Sequence, residues 1–232
     1  MAMLDKDQWL SSILGKSVFQ IDFRFVSQLA NSNLPQASAL VMVKVPVSNV
    51  LDCNHLQRLN FFLVDTNVQL QKLSDKSSFL TNNLNIRFSN PSDQEGVLKI
   101  AANSFTYDRF HNDPGITQEA AEKIKVEWAK NFFKNARGNW MVVAEDGGII
   151  SGFLLLLHGV DGALIIDLIA VDQNYRHTGV AQSMISFAMQ NCETRTEVVR
   201  VGTQIANLPS IALYLKMGFS ITSAQYVFHH HI

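Results

Sequence analysis

Cysteine is nearly missing: Cys53 and Cys192 are the only two in 232 residues. They stand far apart, without a metal-type spacing and with no signal peptide ahead of them. They therefore read as reduced thiols of a cytoplasmic protein, and no metal site follows from them. A basic run is missing as well. Lys and Arg are scattered and the net charge is −1, which leaves no electrostatic footprint for nucleic acid. Long hydrophobic runs are also lacking. The most apolar stretch, Phe153-Leu-Leu-Leu-Leu157, is too short for a membrane span and predicts a central buried strand. The triplet His229-His-His231 reads as a terminal strand or a frayed end rather than a ligand set. What is plentiful is apolar bulk, 47% of the residues, enough to bury a core and to divide into two units.

Periodicity gives a mixed α/β order. Before a polar boundary stretch at Asp75–Leu84, the pattern predicts helix Leu4–Leu14, strands Ser17–Phe23 and Ala39–Val45, helix Leu51–Leu59 and strand Phe62–Leu70. After it come strand Asn85–Phe88, helix Asp93–Ser104 and, past Pro114-Gly115, a longer helix Thr117–Lys134 with Thr117 as N-cap. Strands Trp140–Glu145, Ile149–His158 and Ala163–Val171 follow, with Asp146-Gly-Gly148 as the tight turn between the first two. The last predicted strand is Ser220–Phe228.

The most telling segment is Val171-Asp-Gln-Asn-Tyr-Arg-His-Thr-Gly-Val-Ala181, between the apolar strand Leu164–Ala170 and the helical run Gln182–Met189. A strand feeds a helix through an Arg-x-x-Gly-x-Ala turn. Free N–H groups and roughly half a positive charge sit at a helix N-terminus, and small residues let a diphosphate approach the main chain. Arg176 adds a full charge. One helix and one strand later comes Asn207-Leu-Pro-Ser210-Ile-Ala-Leu213-Tyr214-Leu-Lys-Met-Gly218-Phe219.

In that order, the two segments resemble the two halves of the acetyl-coenzyme A signature of the GNAT N-acetyltransferases, with Ser210 in place of the usual small residue. The resemblance implies a central, mostly antiparallel twisted sheet splayed at the cofactor strand, and acetyl-coenzyme A as cosubstrate. It implies a cofactor site made of Leu168, Ile169, Ala170, Val171, Arg176, His177, Thr178, Gly179, Val180, Ala181, Asn207 and Tyr214. Leu56–Phe61 followed by Phe62–Leu70 echoes Leu213–Phe219 followed by Ser220–Phe228, yet the first half has no Arg-x-x-Gly-x-Ala turn. Residues 1–80 then form a truncated unit walling the acceptor site, and residues 85–232 the cofactor-binding unit.

Shorter pieces narrow the resemblance. Leu63-Val-Asp65, Asp108-Arg-Phe-His111 before a Pro and a helix with Trp128, and Arg200-Val-Gly-Thr-Gln204 before Asn207 are similar to the dTDP-fucosamine acetyltransferases. That branch acetylates the 4-amino group of a dTDP-linked sugar for surface polysaccharide, so the implied partner is a small nucleotide-sugar substrate. Neither nucleic acid nor a membrane span is expected, and a homodimer is left open.

The chemistry needs a neutral amine and a proton for the departing thiolate. Asp65 is the first choice of base, Asp167 the second and His111 the third, while the resemblance makes Tyr214 the proton donor. Tyr107, Arg109, Phe110, His111 and Trp128 would supply stacking and charge to a nucleotide, with Arg109 on its phosphates. The buried face of its helix is the lesser reading for Tyr214, whereas Trp128, beside Val126 and Ala129, suits the core better than a ligand. The other readings are a peptide or small-amine acetyltransferase and a non-catalytic acyl-coenzyme A sensor.

Overall fold

A computed structural model describes residues 3–73, 85–193 and 198–232. The boundary stretch Asp75–Leu84 lies outside the described residues. The first half comprises β1 (Leu4–Lys6), α1 (Gln8–Leu14), β2 (Ser17–Ile21), β3 (Ala39–Pro46), α2 (Val50–Arg58) and β4 (Phe62–Leu73). The second comprises β5 (Asn85–Phe88), α3 (Gln94–Asn103), α4 (Gln118–Phe133), β6 (Trp140–Asp146), β7 (Ile149–His158), β8 (Leu164–Val171), α5 (Val180–Asn191), β9 (Val198–Gln204), α6 (Leu208–Lys216) and β10 (Ser220–His231).

Side-chain caps explain where these elements depart from the sequence pattern. The helix expected from Leu4 begins only at Gln8, because the Asp7 carboxylate accepts from the Leu10 N–H at 2.8 Å while Leu4–Lys6 pair with β2. Strand β2 stops at Ile21 instead of Phe23, since the Asp22 side chain accepts from the Arg24 N–H and opens a 3-10 turn over Phe23–Gln28. Thr117 caps α4 as expected, accepting from the Ala120 N–H at 3.2 Å. At the other end β10 runs on to His231, paired with Leu40, so the three histidines are sheet residues and not a frayed end.

The ten strands among the described residues form one sheet, in the order β1-β2-β3-β10-β4-β9-β8-β7-β6-β5. Only β2–β3 and β8–β9 are parallel; the other neighbours are antiparallel. The order is symmetric about the β10–β4 contact as far as β1 on one side and β7 on the other, with β6 and β5 added beyond β7. Strand β4 of the first half lies between β9 and β10, and β10 of the second half lies between β3 and β4. Each half thus fills the gap in the other.

The repeat extends to single residues. Asn49 and Asn207 precede nine-residue helices with ψ 64° at both caps. The helices end at left-handed residues, Asn60 (φ 63°) and Gly218 (φ 85°), and then Phe61 N–H bonds Leu56 O and Phe219 N–H bonds Tyr214 O, both at 3.0 Å. The first half therefore carries Leu56 where the second carries Tyr214. Its parallel crossover from β2 to β3 uses 3-10 turns where the second half has α5.

Two layers of core cover the sheet. On one face α2, α5 and α6 bury Val41, Val43, Leu56 and Phe228 at one end and Val68, Leu70, Met184, Ile185 and Tyr214 at the other. On the opposite face α1 and α4 cover Leu40, Met42 and Phe110, while α3 and α4 cover Met141, Val143, Phe153 and Leu155.

The strand exchange makes a clear prediction. A fragment of residues 85–232 leaves β9 and β10 without the strand between them and removes Val68 and Leu70 from the core, so open ladder edges and apolar surface are both exposed. It is expected to show no cooperative melt by circular dichroism, whereas the full chain melts in one transition. A fragment that melts sharply near the full-chain temperature would show that the halves are independent.

Candidate active site

The sheet opens at β8. This strand pairs with β9 only through Leu164, Ile165 and Ile166, although β8 runs on to Val171 and β9 to Gln204. A bulge causes the divergence: Leu155 pairs with Leu168 and Leu156 with Ile166, leaving Asp167 as the extra residue. The extra residue flips the strand. Leu164 and Ile166 pack on the α5–α6 side, and Leu168 and Ala170 on the α3–α4 side. The main chain of the Leu168–Val171 segment thus faces a wedge, where an extended amide-bearing arm can take the missing ladder bonds.

At the mouth of the wedge stands the turn into α5. Arg176 Nε donates to Val171 O at 3.2 Å and Thr178 Oγ1 to Tyr175 O at 2.7 Å, which folds the turn against the end of β8. His177 (φ 66°) and Gly179 (φ 87°) are left-handed. No side chain caps α5 and no acid lies in its first turn, so its N–H groups and dipole remain for an outside anion. A Cβ at Gly179 would meet only Gln182 Oε1, at 3.9 Å, so the approach is open. Gly152 of β7 brings the helix close: a Cβ there would come within 3.1 Å of Val180 Cγ1 and 3.0 Å of Met184 Cε. Wedge, turn and helix dipole together fit the pantetheine arm and diphosphate of a coenzyme A.

On the α6 side, Tyr214 is 1% exposed with its ring 5.5 Å from Phe219. Burial pushes its hydroxyl well above the ordinary tyrosine range and so holds the proton on it. Asn207 Oδ1 accepts from Ser210 N–H at 3.2 Å, fixing the first turn of α6.

A polar belt crosses the opposite face. Lys44, Val227 and Asp65 form one row over β3, β10 and β4, and Asn67 and Gln225 form the next. The loop from Ser104 to Ile116 covers the row. Asp65 accepts from Thr66 N–H at 2.7 Å, and burial raises its carboxyl to about 6 against the opposing charges of Arg109 and Lys44. Asp108 is also buried, but the His111 ring, at 2.7 Å, and the Lys125 ammonium, at 3.4 Å, outweigh that penalty and hold it at about 2. Arg109 lies over Phe110, 4.6 Å from the ring centroid. Asp167 is fully engaged: Arg137 grips it through two bonds of 2.7 and 2.6 Å, and Trp128 Nε1 donates to it at 2.8 Å.

The structure thus brings Asp65, Arg109 and His111 to one belt, with Asp167 and Trp128 at its α4 end. Phe110 differs from expectation. It is 2% exposed in the core beneath α1 and α4, so its face is not offered for stacking, whereas Tyr107 is 41% exposed. Trp128 likewise packs edge-on against Trp9. Three groups escaped the sequence reading: Lys44, Asn67, and the buried set in which Asp113 accepts from His229 at 2.5 Å and from His231 at 2.8 Å. A lysine inside the apolar run of β3 was the one available signal. Among the described residues no cluster of His, Cys, Asp and Glu is arranged to hold a metal, and no helix is long and apolar enough to cross a membrane.

A sheet splayed at one parallel pair, with an uncapped helix at its mouth, defines an acyl-coenzyme A-dependent acetyltransferase fold. The chain belongs to the acetyltransferase (GNAT) family, whose model matches residues 102–219. Members of this family use acetyl-coenzyme A. The chain is similar to the spore coat polysaccharide biosynthesis protein SpsD of Bacillus subtilis (strain 168), 33% identical over 140 residues, or 60% of this chain and 48% of that protein. It thus spans about half the length of that relative. Among solved structures, a conserved protein of unknown function from Staphylococcus epidermidis ATCC 12228 matches with a TM-score of 0.69 at 12% identity, covering 100% of this chain and 92% of that one. A GCN5-related N-acetyltransferase from Sphaerobacter thermophilus matches with a TM-score of 0.66 at 14% identity, covering 98% and 76%.

The turn can be tested directly. In Gly179→Val a branched side chain fills the open approach and is strained at φ 87°. Calorimetry is expected to show coenzyme A affinity lowered by about tenfold or more, a loss of one charge-assisted contact. Normal affinity in a folded variant would remove the turn from the cofactor site.

Proposed function

We propose that the protein acetylates the amino group of a nucleotide-linked, dTDP-type amino-dideoxy sugar used in surface polysaccharide synthesis. The observation that carries this reading is the charged belt of half-buried Lys44 and Arg109 beside buried Asp65, which places cations and a raised carboxyl on one floor. A peptide tail would not need such a floor, whereas an anionic sugar nucleotide would. The similarity to a polysaccharide biosynthesis protein supports the same acceptor class. Residues 1–80 supply part of the floor through β3 and β4, which is how that unit walls the acceptor.

In this mechanism the thioester lies in the wedge, its pantetheine arm beside Leu168–Val171 and Asn207 and its diphosphate at the turn from Arg176 to Ala181. Asp65 takes the proton from the amine. Asp167 is second choice because Arg137 and Trp128 already occupy its lone pairs, and His111 is third: Asp108 holds its Nδ1, and its Nε2, though without a partner, is buried. Attack of the amine nitrogen on the thioester carbon forms the amide and breaks the carbon–sulfur bond, and Tyr214 gives its proton to the leaving sulfur. The hydroxyl carries its proton throughout the working range, and the strongly basic thiolate leaving group is what draws it off. Asp108 and Lys125 hold the loop that carries Arg109.

Asp65 gives the reaction a defined pH response. A base with a pKa of about 6 loses turnover as pH falls through that value. Asp65→Asn is expected to lower kcat/KM at pH 8 by roughly 10²- to 10⁴-fold and to flatten the acid limb. The sign for stability is opposite. A carboxyl raised above its ordinary 3.8 favours the fold only while protonated, and that contribution is lost as pH rises through about 6. The Asn variant should therefore melt no lower than the parent at pH 8. Parental kcat/KM in that variant would remove Asp65 as base.

The acceptor is tested by thiol release. With acetyl-coenzyme A, the protein is expected to turn over a dTDP-linked amino-dideoxy sugar and to ignore the same sugar without its nucleotide. Turnover of peptides with none on any nucleotide sugar would overturn the acceptor; turnover of a UDP-sugar alone would change only the nucleotide.

A further inference from the structure

Lys44 breaks the pattern of its own strand. In β3 every residue from Ala39 to Val43, and Val45 as well, is buried and apolar, and Lys44 alone is charged. The register says where it stands. Val227 pairs with Lys44 on one side and Asp65 on the other, and strands about 4.8 Å apart put their Cα atoms roughly 10 Å from each other.

Arg109, reaching down from the covering loop, is an electrostatic neighbour of both residues. Neither cation is matched. Among the described residues Lys44 and Arg109 form no ion pair and donate no hydrogen bond, and Arg109 Nε is a buried donor with no partner. The acids nearby offset them only in part: Asp108 attracts Arg109 most but is already bound by His111 and Lys125, Asp7 adds a weaker attraction, and Asp65 is the one carboxyl that Arg109 and Lys44 share. Burial of unmatched cations is costly, and a ligand oxyanion relieves it. Burial lowers both cations' pKa values, that of Lys44 to about 8.

We propose that Lys44 and Arg109 form the oxyanion subsite of the acceptor, seating the phosphoryl group next to the sugar while the amine on the far side of the ring is directed at Asp65. The proposal rests on the acetyl-transfer reading above and specifies its acceptor: amine and anion must be held apart by a small rigid spacer such as a pyranose. A carboxylate-bearing amine offers the same oxyanion chemistry, so the test separates the two.

The experiment uses the full chain with coenzyme A saturating its own diphosphate site, and titrates dTDP and inorganic pyrophosphate calorimetrically. Affinity for dTDP is expected to fall by about tenfold or more in Lys44→Met, the loss of a charged hydrogen bond, and to be largely retained in Lys44→Arg. In parallel, kcat/KM should fall for the nucleotide-linked sugar. Unchanged dTDP affinity in Lys44→Met overturns the subsite, as does a coenzyme A-filled parent that binds neither probe. Lys44-dependent dTDP binding combined with turnover of a carboxylate-bearing amine alone would keep the oxyanion subsite and discard the nucleotide-sugar acceptor.

Discussion

The antiparallel contact between β4 and β10 is the joint on which the molecule depends. Both are twelve-residue strands, and each has as its other neighbour a strand of the opposite half's helix connection, β9 for β4 and β3 for β10. Neither half can satisfy its central backbone groups without the other. The same joint sets Asp65 and Lys44 in one row, with Val227 of β10 between them.

Electrostatics then divide the carboxylates by environment. Asp167 and Asp108 are both buried, but each is met by a cation and a ring N–H within hydrogen-bonding or ion-pair distance, and they serve as anchors. Asp65 receives only one backbone N–H, so burial dominates and its carboxyl is poised to exchange a proton near neutrality. On the other side of the sheet Tyr214 is kept protonated by an apolar shell. Burial thus acts on both groups in the same direction, holding a proton on the Tyr214 hydroxyl and raising the Asp65 carboxyl toward neutrality.

Features written in adjacent residues were legible in the sequence. The turn from Arg176 to Ala181 could be read because its φ requirement and helix start are local, as could the Asn207-to-Phe219 helix and its echo at Leu56–Phe61. The echo was read one position out of step at its start; only the matching Phe61 and Phe219 bonds put Leu56 opposite Tyr214. The Asp167 bulge could not be read as one: Asp167 is a lone charge in an otherwise apolar run, and burial alternates along the strand without interruption although the face changes. Groups that meet across the fold were unreadable: Asp113 and His229 are separated by 116 positions, and nothing near either announces the other. Phe110 stands among ligand-type residues in the sequence, but the fold turns it inward.

The position of β10 has a bearing on how the chain acquires its shape. This strand is the last described element in order of synthesis yet lies near the middle of the sheet. Its partner strands β3 and β4 emerge long before it and must wait with unmatched edges while the rest is made. Contacts of such sequence separation slow folding and lengthen the life of open edges. The edges of β3 and β4 that face β10 therefore stay unpaired until the strand ending at residue 231 is made.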